Sequence, residues 1–195
     1  MVIAIKEYMK DIKKLELLEA EIKSYNKIYD EYSEFDDSFK RKVYYSFEAE
    51  KIVKMSLKSI SFLYYIKKVP TSLRLFNNLK VLNLSKSNFD SNSFSILENM
   101  TQLEELDLSQ NKIEYFDFLS NLKNLKKLDL TSNQIKDISS LEKLINLEEL
   151  SIYFNDNFDF PDLNKLKNLE IAGKSIVFKY ELPNLRRLNI EVVKN

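Results

Sequence analysis

The sequence predicts an α/β solenoid: about seven parallel strands stacked in one sheet, closed at the start by an N-terminal helical cap. Three observations predict it. Leu103, Leu106, Leu108, Asn111 and Ile113 recur 22 residues later as Leu125, Leu128, Leu130, Asn133 and Ile135, and again as Leu147, Leu150, Ile152 and Asn155. A fixed self-similar period of this length marks units that cannot bury an apolar face alone and must stack on one another. Each unit carries Leu-x-x-Leu-x-Leu, whose last positions alternate at period two as a half-buried strand does. An Asn then stands where the chain turns, and its amide can donate to and accept from backbone groups otherwise left unpaired. Stacked Asn residues are expected to form a hydrogen-bonded ladder.

Taken in order, residues 1 to about 35 read as a helix, with Ile5, Met9, Ile12, Leu15, Leu18 and Ile22 stepping by three or four and charged residues on the opposite face. Asp36, Asp37 and Ser38 supply turn and N-cap chemistry. Phe39 to about Met55 gives a second helical stripe through Val43, Phe47 and Ile52. Residues 1–55 are therefore assigned to the helical cap and 56–195 to the solenoid, because a stack exposes its core at each end and needs covering. Strand registers begin at 57, 79, 103, 125, 147, 166 and 185. The first is degenerate, with Leu57, Ile60 and Phe62, and Tyr65 where Asn would stand. The second has two extra residues, so Ser91 to Ser95 is expected to bulge outward. Between strands, Phe116, Leu119 and Leu122, then Ile138, Leu141 and Leu144, line a return path. That beat suits a helical, an extended or a 3₁₀ return, with too little chain for a long helix. Past residue 155 the period shortens to 19, and curvature or twist is expected to change.

Leu125-x-x-Leu128-x-Leu130-x-x-Asn133-x-Ile135-x-x-Ile138-x-x-Leu141-x-x-Leu144 resembles the 22-residue class of leucine-rich repeat proteins, including phosphatase regulators and bacterial internalins. The resemblance implies a curved, right-handed superhelix that binds other proteins without catalysis. The tail, with Leu182, Pro183, Leu185 and Leu188, is similar to the C-terminal capping segment of intracellular members, although the Tyr-Arg pair expected before it is missing. With little chain beyond, the last strand leaves an edge that invites pairing with another chain. Two alternatives come with the resemblance. Leu17 to Ser24 is similar to a helical segment of the Rab geranylgeranyltransferase alpha subunit, whose repeated Trp-containing helix pairs are missing here. An internalin-like surface adhesion module is the other, and it needs an export signal that the start of the chain does not show.

Composition narrows the function. The 195 residues allow one domain or one plus an appendage, and 44% apolar content suffices for a continuous core. Lys and Arg total 30, as do Asp and Glu, so the basic surplus that nonspecific nucleic-acid binding needs is missing. There is no Cys and no His, which removes thiol nucleophiles, disulfides and the usual zinc ligands; a single Gly excludes Gly-rich phosphate loops. No cofactor is expected. No apolar run is long enough to span a membrane, and a cytoplasmic protein is the simplest expectation. Sequons at Asn83 and Asn99 are ascribed to chance.

If the fourth and sixth positions of each strand point into the core, the third, fifth and seventh point the other way. Position three reads Ser59, Val81, Glu105, Lys127, Glu149, Asn168, Arg187. Position five reads Ser61, Asn83, Asp107, Asp129, Ser151, Glu170, Asn189. Position seven reads Leu63, Ser85, Ser109, Thr131, Tyr153, Ala172, Glu191. The expected partner site is Glu105, Asp107, Lys127, Asp129, Glu149, Ser151, Tyr153 and Glu170: an acidic stripe that would attract a basic protein surface, beside an exposed Tyr153 with Phe154 next to it. Paired acids also serve glycoside hydrolysis, but a shallow, solvated face gives little reason for a raised pKa. A calcium site at Asp107 and Asp129 lacks a backbone-loop ligand motif. No catalytic or metal residue is assigned.

Overall fold

The computed structural model describes residues 10–21, 44–48, 51–57, 68–153, 155, 159–173, 177–178 and 181–192. Residues 10–21 form helix α1. Among the described residues ten strands follow: β1 (Tyr44–Glu48), β2 (Lys51–Ser56), β3 (Val81–Asn83), β4 (Glu105–Asp107), β5 (Lys127–Asp129), β6 (Glu149–Ser151), β7 (Asp159–Phe160), β8 (Asn168–Gly173), β9 (Val177–Phe178) and β10 (Arg187–Val192). One sheet runs β1-β2-β3-β4-β5-β6-β8-β10. β1 is antiparallel to β2, and the other seven strands are parallel throughout. This is an α/β solenoid with the expected strand number.

The first strand is not where the repeat count puts it. β2 pairs Lys54 with Val81, Met55 with Leu82 and Ser56 with Asn83. The opening register is thus Ile52-x-x-Met55-x-Leu57, five residues before the expected Leu57-x-x-Ile60-x-Phe62, and Leu57 sits at position six. Lys54 and Ser56, not Ser59 and Ser61, take positions three and five; Ser59, Ser61, Leu63 and Tyr65 lie outside the described residues. The expected second helix is also replaced, by the β1–β2 hairpin. Tyr44, Tyr45, Phe47, Ile52 and Val53 are aromatic or β-branched, types that favour a pleated surface over a helix. Pairing of Tyr45 with Met55 fixes which of the two overlapping Leu-like patterns joins the sheet.

Helix α1 buries Leu18, packs Leu15 against the core and leaves Leu17 outside. Contrary to the expected all-apolar inner face, Asp11 is also buried, one helical step from Leu15; Lys14 Nζ lies 2.6 Å from its carboxylate, which offsets the cost of desolvation. The helix is tied to the solenoid by Glu21. Its Oε1 accepts from the N–H and hydroxyl of Thr71, both at 2.8 Å, and its Oε2 from the Ser72 N–H at 2.7 Å. These amides open the 3₁₀ helix η1 (Thr71–Leu75), whose N-cap Pro70 makes no side-chain cap. Glu21 serves as the cap from 50 residues away. The expected helix beyond 10–21, with the turn at Asp36 to Ser38, lies outside the described residues.

Leu82, Leu106, Leu128 and Leu150, one from each successive strand, are all buried in a single core. Fully burying one such side chain contributes about 1.5–3 kcal/mol. The returns after β3, β4 and β5 are 3₁₀ helices: η2 (Ser91–Asn99), η3 (Asp117–Leu119) and η4 (Ser139–Lys143). Residues 91–95 do not bulge away. Asp90 caps η2 by accepting from the Ser93 N–H, and Ser91 is buried, its hydroxyl accepting from the N–H groups of Glu114 and Tyr115. The two extra residues are absorbed by lengthening the helix, with Phe94 stacked on Phe118 at 5.2 Å and edge-on to Phe89 at 5.4 Å.

The Asn ladder forms. Asn111 Nδ2 donates to the Leu84 and Leu108 carbonyls while its Oδ1 accepts from the Ser87 and Phe89 N–H groups. Asn133 repeats this with Leu108, Leu130 and Ile113, and Asn155 with Leu130, Ile152 and Ile135. Each amide stitches its own unit to the preceding one. Just before, Lys86, Gln110 and Ser132 adopt left-handed backbone (φ 58°, 55° and 56°), and their N–H groups donate to the next unit's Ser109, Thr131 and Tyr153 carbonyls.

Candidate partner-binding face

Pairing in register aligns Glu105, Lys127, Glu149, Asn168 and Arg187 in one column, and Asp107, Asp129, Ser151, Glu170 and Asn189 in the next. The strand burial pattern alternates, with the central Leu of each strand inside and its two neighbours turned to solvent. A hollow of about 320 Å³ opens on this face. It is lined at β4 by Glu105 and Asp107, at β5 by Lys127 and Asp129, and at β6 by Glu149 and Ser151. The structure thus brings six of the eight expected residues around one depression. Glu170 lies one strand further on, opposite Ser151.

Tyr153 is half-buried and not the fully exposed aromatic expected; Phe154 lies outside the described residues. Position seven does not face a partner at Ser85 and Ser109, which are buried. The reason is local. The Asp107 carboxylate accepts from the Ser109 N–H at 2.9 Å and hydroxyl at 2.7 Å, and Asn83 does the same for Ser85 at 3.0 and 2.8 Å. Asp129 accepts from the Thr131 N–H at 2.8 Å. An Asx side chain bonding the backbone two residues on is the chemistry of an Asx turn, and it ends each strand. Asn83-Leu-Ser85, Asp107-Leu-Ser109 and Asp129-Leu-Thr131 write this device three times, which gives the Asn83 sequon a structural reason. Two of the stripe's acids, Asp107 and Asp129, are therefore also turn chemistry, legible in the sequence but missed by attending to charge alone.

The charges are more balanced than a bare acidic stripe. Lys127 Nζ lies 3.2 Å from Glu149 Oε2, and Arg187 lies 3.9 Å from Glu170. Asp107 Oδ2 accepts from Asn83 Nδ2 at 2.6 Å. Burial pushes the Asp129 carboxyl above its ordinary range, against the Thr131 hydrogen bonds, and the carboxylates of Asp107 and Glu170 push the same way. One acid on this face is thus raised, where a wholly solvated surface would leave it unchanged.

Position two carries a ladder that the column reading overlooked. Glu104 lies 3.1 Å from Lys80 and 2.7 Å from Lys126, and Glu148 lies 2.8 Å from Lys167. The hydrogen bonds from Lys126 and then Lys80 lower the Glu104 pKa, and that from Lys167 lowers Glu148. The signal was the doubled charges Glu104-Glu105, Lys126-Lys127 and Glu148-Glu149. Among the described residues, no group of three or more acidic side chains is placed to hold a metal ion, and no helix is long and apolar enough to cross a membrane.

Residues 77–135 match the family model described as Leucine rich repeat, and residues 123–175 match Leucine Rich repeats (2 copies). Similar solved structures include an internalin (inlF) from Listeria monocytogenes, 23% identical with a TM-score of 0.53, covering 69% of this chain and 52% of that one. Internalin C2 (inlC2) from the same organism is 22% identical with a TM-score of 0.55, covering 76% and 80%. A chain from the complex of the Arabidopsis receptor kinase HAESA with the peptide hormone IDA and the co-receptor SERK1 is 23% identical, with a TM-score of 0.57 and coverage of 75% and 27%. At these identities the likeness concerns the fold, and the chain spans about half the length of the first (52%). No protein of curated function matches it in sequence.

Proposed function

Because this chain belongs to the leucine-rich repeat family, we propose that it is a noncatalytic scaffold that holds a protein partner on the solvent face of its parallel sheet. The observation that carries this reading is the hollow over β3 to β6, where residues from four strands converge around Asp107 and Asp129. A rigid sheet presents them without the entropy cost that a loop would incur on binding. Glu105, Asp107 and Asp129 supply negative charge that favours a basic group on the partner, while Lys127 and Glu149 set its orientation. Tyr153 and Glu170 extend the contact towards β8.

The test is a combined Asp129→Asn, Glu149→Gln and Tyr153→Ala substitution. The variant is expected to keep its circular dichroism spectrum and cooperative unfolding but to lose the partner retained by the unmodified protein in pull-down. Retention unchanged by all three substitutions would reject this face.

A further inference from the structure

The sheet is finished differently at its two sides. At the start, α1 packs Leu15 and Leu18 against the core and β1 lies antiparallel on β2. At the other side β10 is the last strand, and among the described residues no strand pairs with its outer edge. Leu163, Leu166 and Leu169 of the β8 unit recur 19 residues on as Leu182, Leu185 and Leu188. The first three are 6%, 0% and 0% exposed, whereas Leu182 and Leu185 are only partly buried and Leu188 is 46% exposed. The last unit is nonetheless folded like its neighbour. Leu188 pairs in register with Leu169, and the Leu185 N–H donates to Leu182 as that of Leu166 does to Leu163. The backbone is open at the same edge. Position-six amides of the inner units donate forward, Leu84 to Asp107, Leu108 to Asp129, Leu130 to Ser151 and Ile152 to Glu170, while the Arg187 N–H donates back to Lys167. Alternation therefore puts the N–H and C=O of Leu188 and Ile190 on the outer edge of β10.

We propose that this edge takes a second copy of the chain, the two β10 strands pairing antiparallel about a two-fold axis that passes between their Asn189 residues. Such a contact is isologous, so the strand must complement itself when reversed. Arg187-Leu188-Asn189-Ile190-Glu191 does so. Centred on Asn189, it sets Arg187 opposite Glu191 on both sides of the axis and joins Leu188 to Ile190, whose outward N–H and C=O groups exchange hydrogen bonds. Centred on Leu188 or on Ile190, it sets one of the two charges opposite Asn189 instead. Arg187 is available for this pairing, because its contact with Glu170 is long, at 3.9 Å, and its side chain is 69% exposed. The contact does not use the hollow over β3 to β6, so it stands or falls separately from partner binding there.

Sedimentation equilibrium of the 195-residue chain tests this. A dimer with a dissociation constant on the order of 100 μM is expected for so small a contact. Arg187→Glu and Glu191→Arg each bring like charges together on both sides of the axis, and each should weaken self-association about tenfold. An equimolar mixture of the two variants restores both opposite-charge contacts and should dimerise as tightly as the unmodified chain. Circular dichroism checks that each variant is folded. Leu188→Lys, at a position already exposed, serves if either is not, and should leave the chain monomeric. A chain that stays monomeric up to about ten times the expected dissociation constant overturns the proposal. So does a dimer indifferent to the charge changes, or a mixture no tighter than the single variants. If the chain stays monomeric while Leu188→Lys abolishes capture of a different protein, the edge serves that partner and the proposal fails.

Discussion

The units from β3 to β6 and those built on β8 and β10 solve the same stacking problem with different return paths. In the first group, spaced by 22 or 24 residues, the chain comes back through 3₁₀ helices η2, η3 and η4. In the second, spaced by 19, it comes back through the short strands β7 and β9, which pair in parallel as a second sheet through Asp159 with Val177 and Phe160 with Phe178. A 3₁₀ helix rises about 2.0 Å per residue and a strand about 3.3 Å, so an extended segment covers the distance with fewer residues. The strand register survives this change. Leu150 pairs with Leu169 and Leu169 with Leu188 just as Leu106 pairs with Leu128. Strand pairing answers to the Leu-x-x-Leu-x-Leu spacing, and the return answers to how much chain is left.

Substitutions can break this comparison, starting with the ladder that only the longer units show among the described residues. Asn133→Ala strands the buried Ile113 N–H and removes one of the two amide donors that each of the Leu108 and Leu130 carbonyls accepts from, and should cost about 2–3 kcal/mol in urea unfolding. Asn155→Ala, at the junction with the shorter units and only half-buried, should cost about 1–2 kcal/mol. Equal costs would mean that the junction is as tightly built as the middle. Glu21→Ala removes the acceptor for Thr71 and Ser72. It should cost about 1–2 kcal/mol and appear first as lost hydrogen-exchange protection at those two amides, leaving the β4 to β6 core protected. Gln110→Gly should stabilise by about 0.5–1 kcal/mol, because a left-handed residue with a side chain gives way to one without that steric conflict.

The smallest effect separates two carboxylates by pH. The folded pKa of Asp129 is raised above 3.8 by burial, so the native state keeps a proton that the unfolded chain gives up. Stability from this group is fully present below 3.8 and is lost as pH rises through the higher native value. Asp129→Asn, which keeps an acceptor for the Thr131 N–H, should therefore raise the melting temperature slightly at pH 7 and not at pH 3. Glu104 has the opposite sign. Its native pKa is lowered from 4.5 by Lys126 and Lys80, so its contribution is present above 4.5 and is lost as pH falls through the native value. Glu104→Gln should lower the melting temperature at pH 7 alone, and added salt should shrink the difference.

Much of this was legible in the residues. The Leu positions of the regular units name the core and the strand register, and the Asn after them names the ladder. The hairpin was not, because Val43, Phe47 and Ile52 fit a helical stripe while the same segment fits a strand. Two overlapping copies of the apolar pattern start at Ile52 and at Leu57, and the one at Ile52 joins the sheet beside its antiparallel neighbour β1. Long-range pairing decides that, and no local spacing encodes it. On the binding face, the columns at positions three and five were readable from strand alternation. The turn bonds of Asp107 and Asp129 were written in the recurring Asx-Leu-Ser/Thr triplet, whereas the burial of Ser85 and Ser109 required seeing where each side chain ends. So did the anchoring of α1, since Glu21 and Thr71 are neighbours only after folding.

The most direct measurement of the central claim compares the two sides of one unit. A photo-crosslinking amino acid replaces Ser151 on the sheet face or Ile145, which is 57% exposed on the return side, and partner capture follows irradiation. A partner covalently trapped from position 151 and not from 145 is the predicted result. Trapping from 145 with none from 151 would contradict the assignment of binding to the sheet.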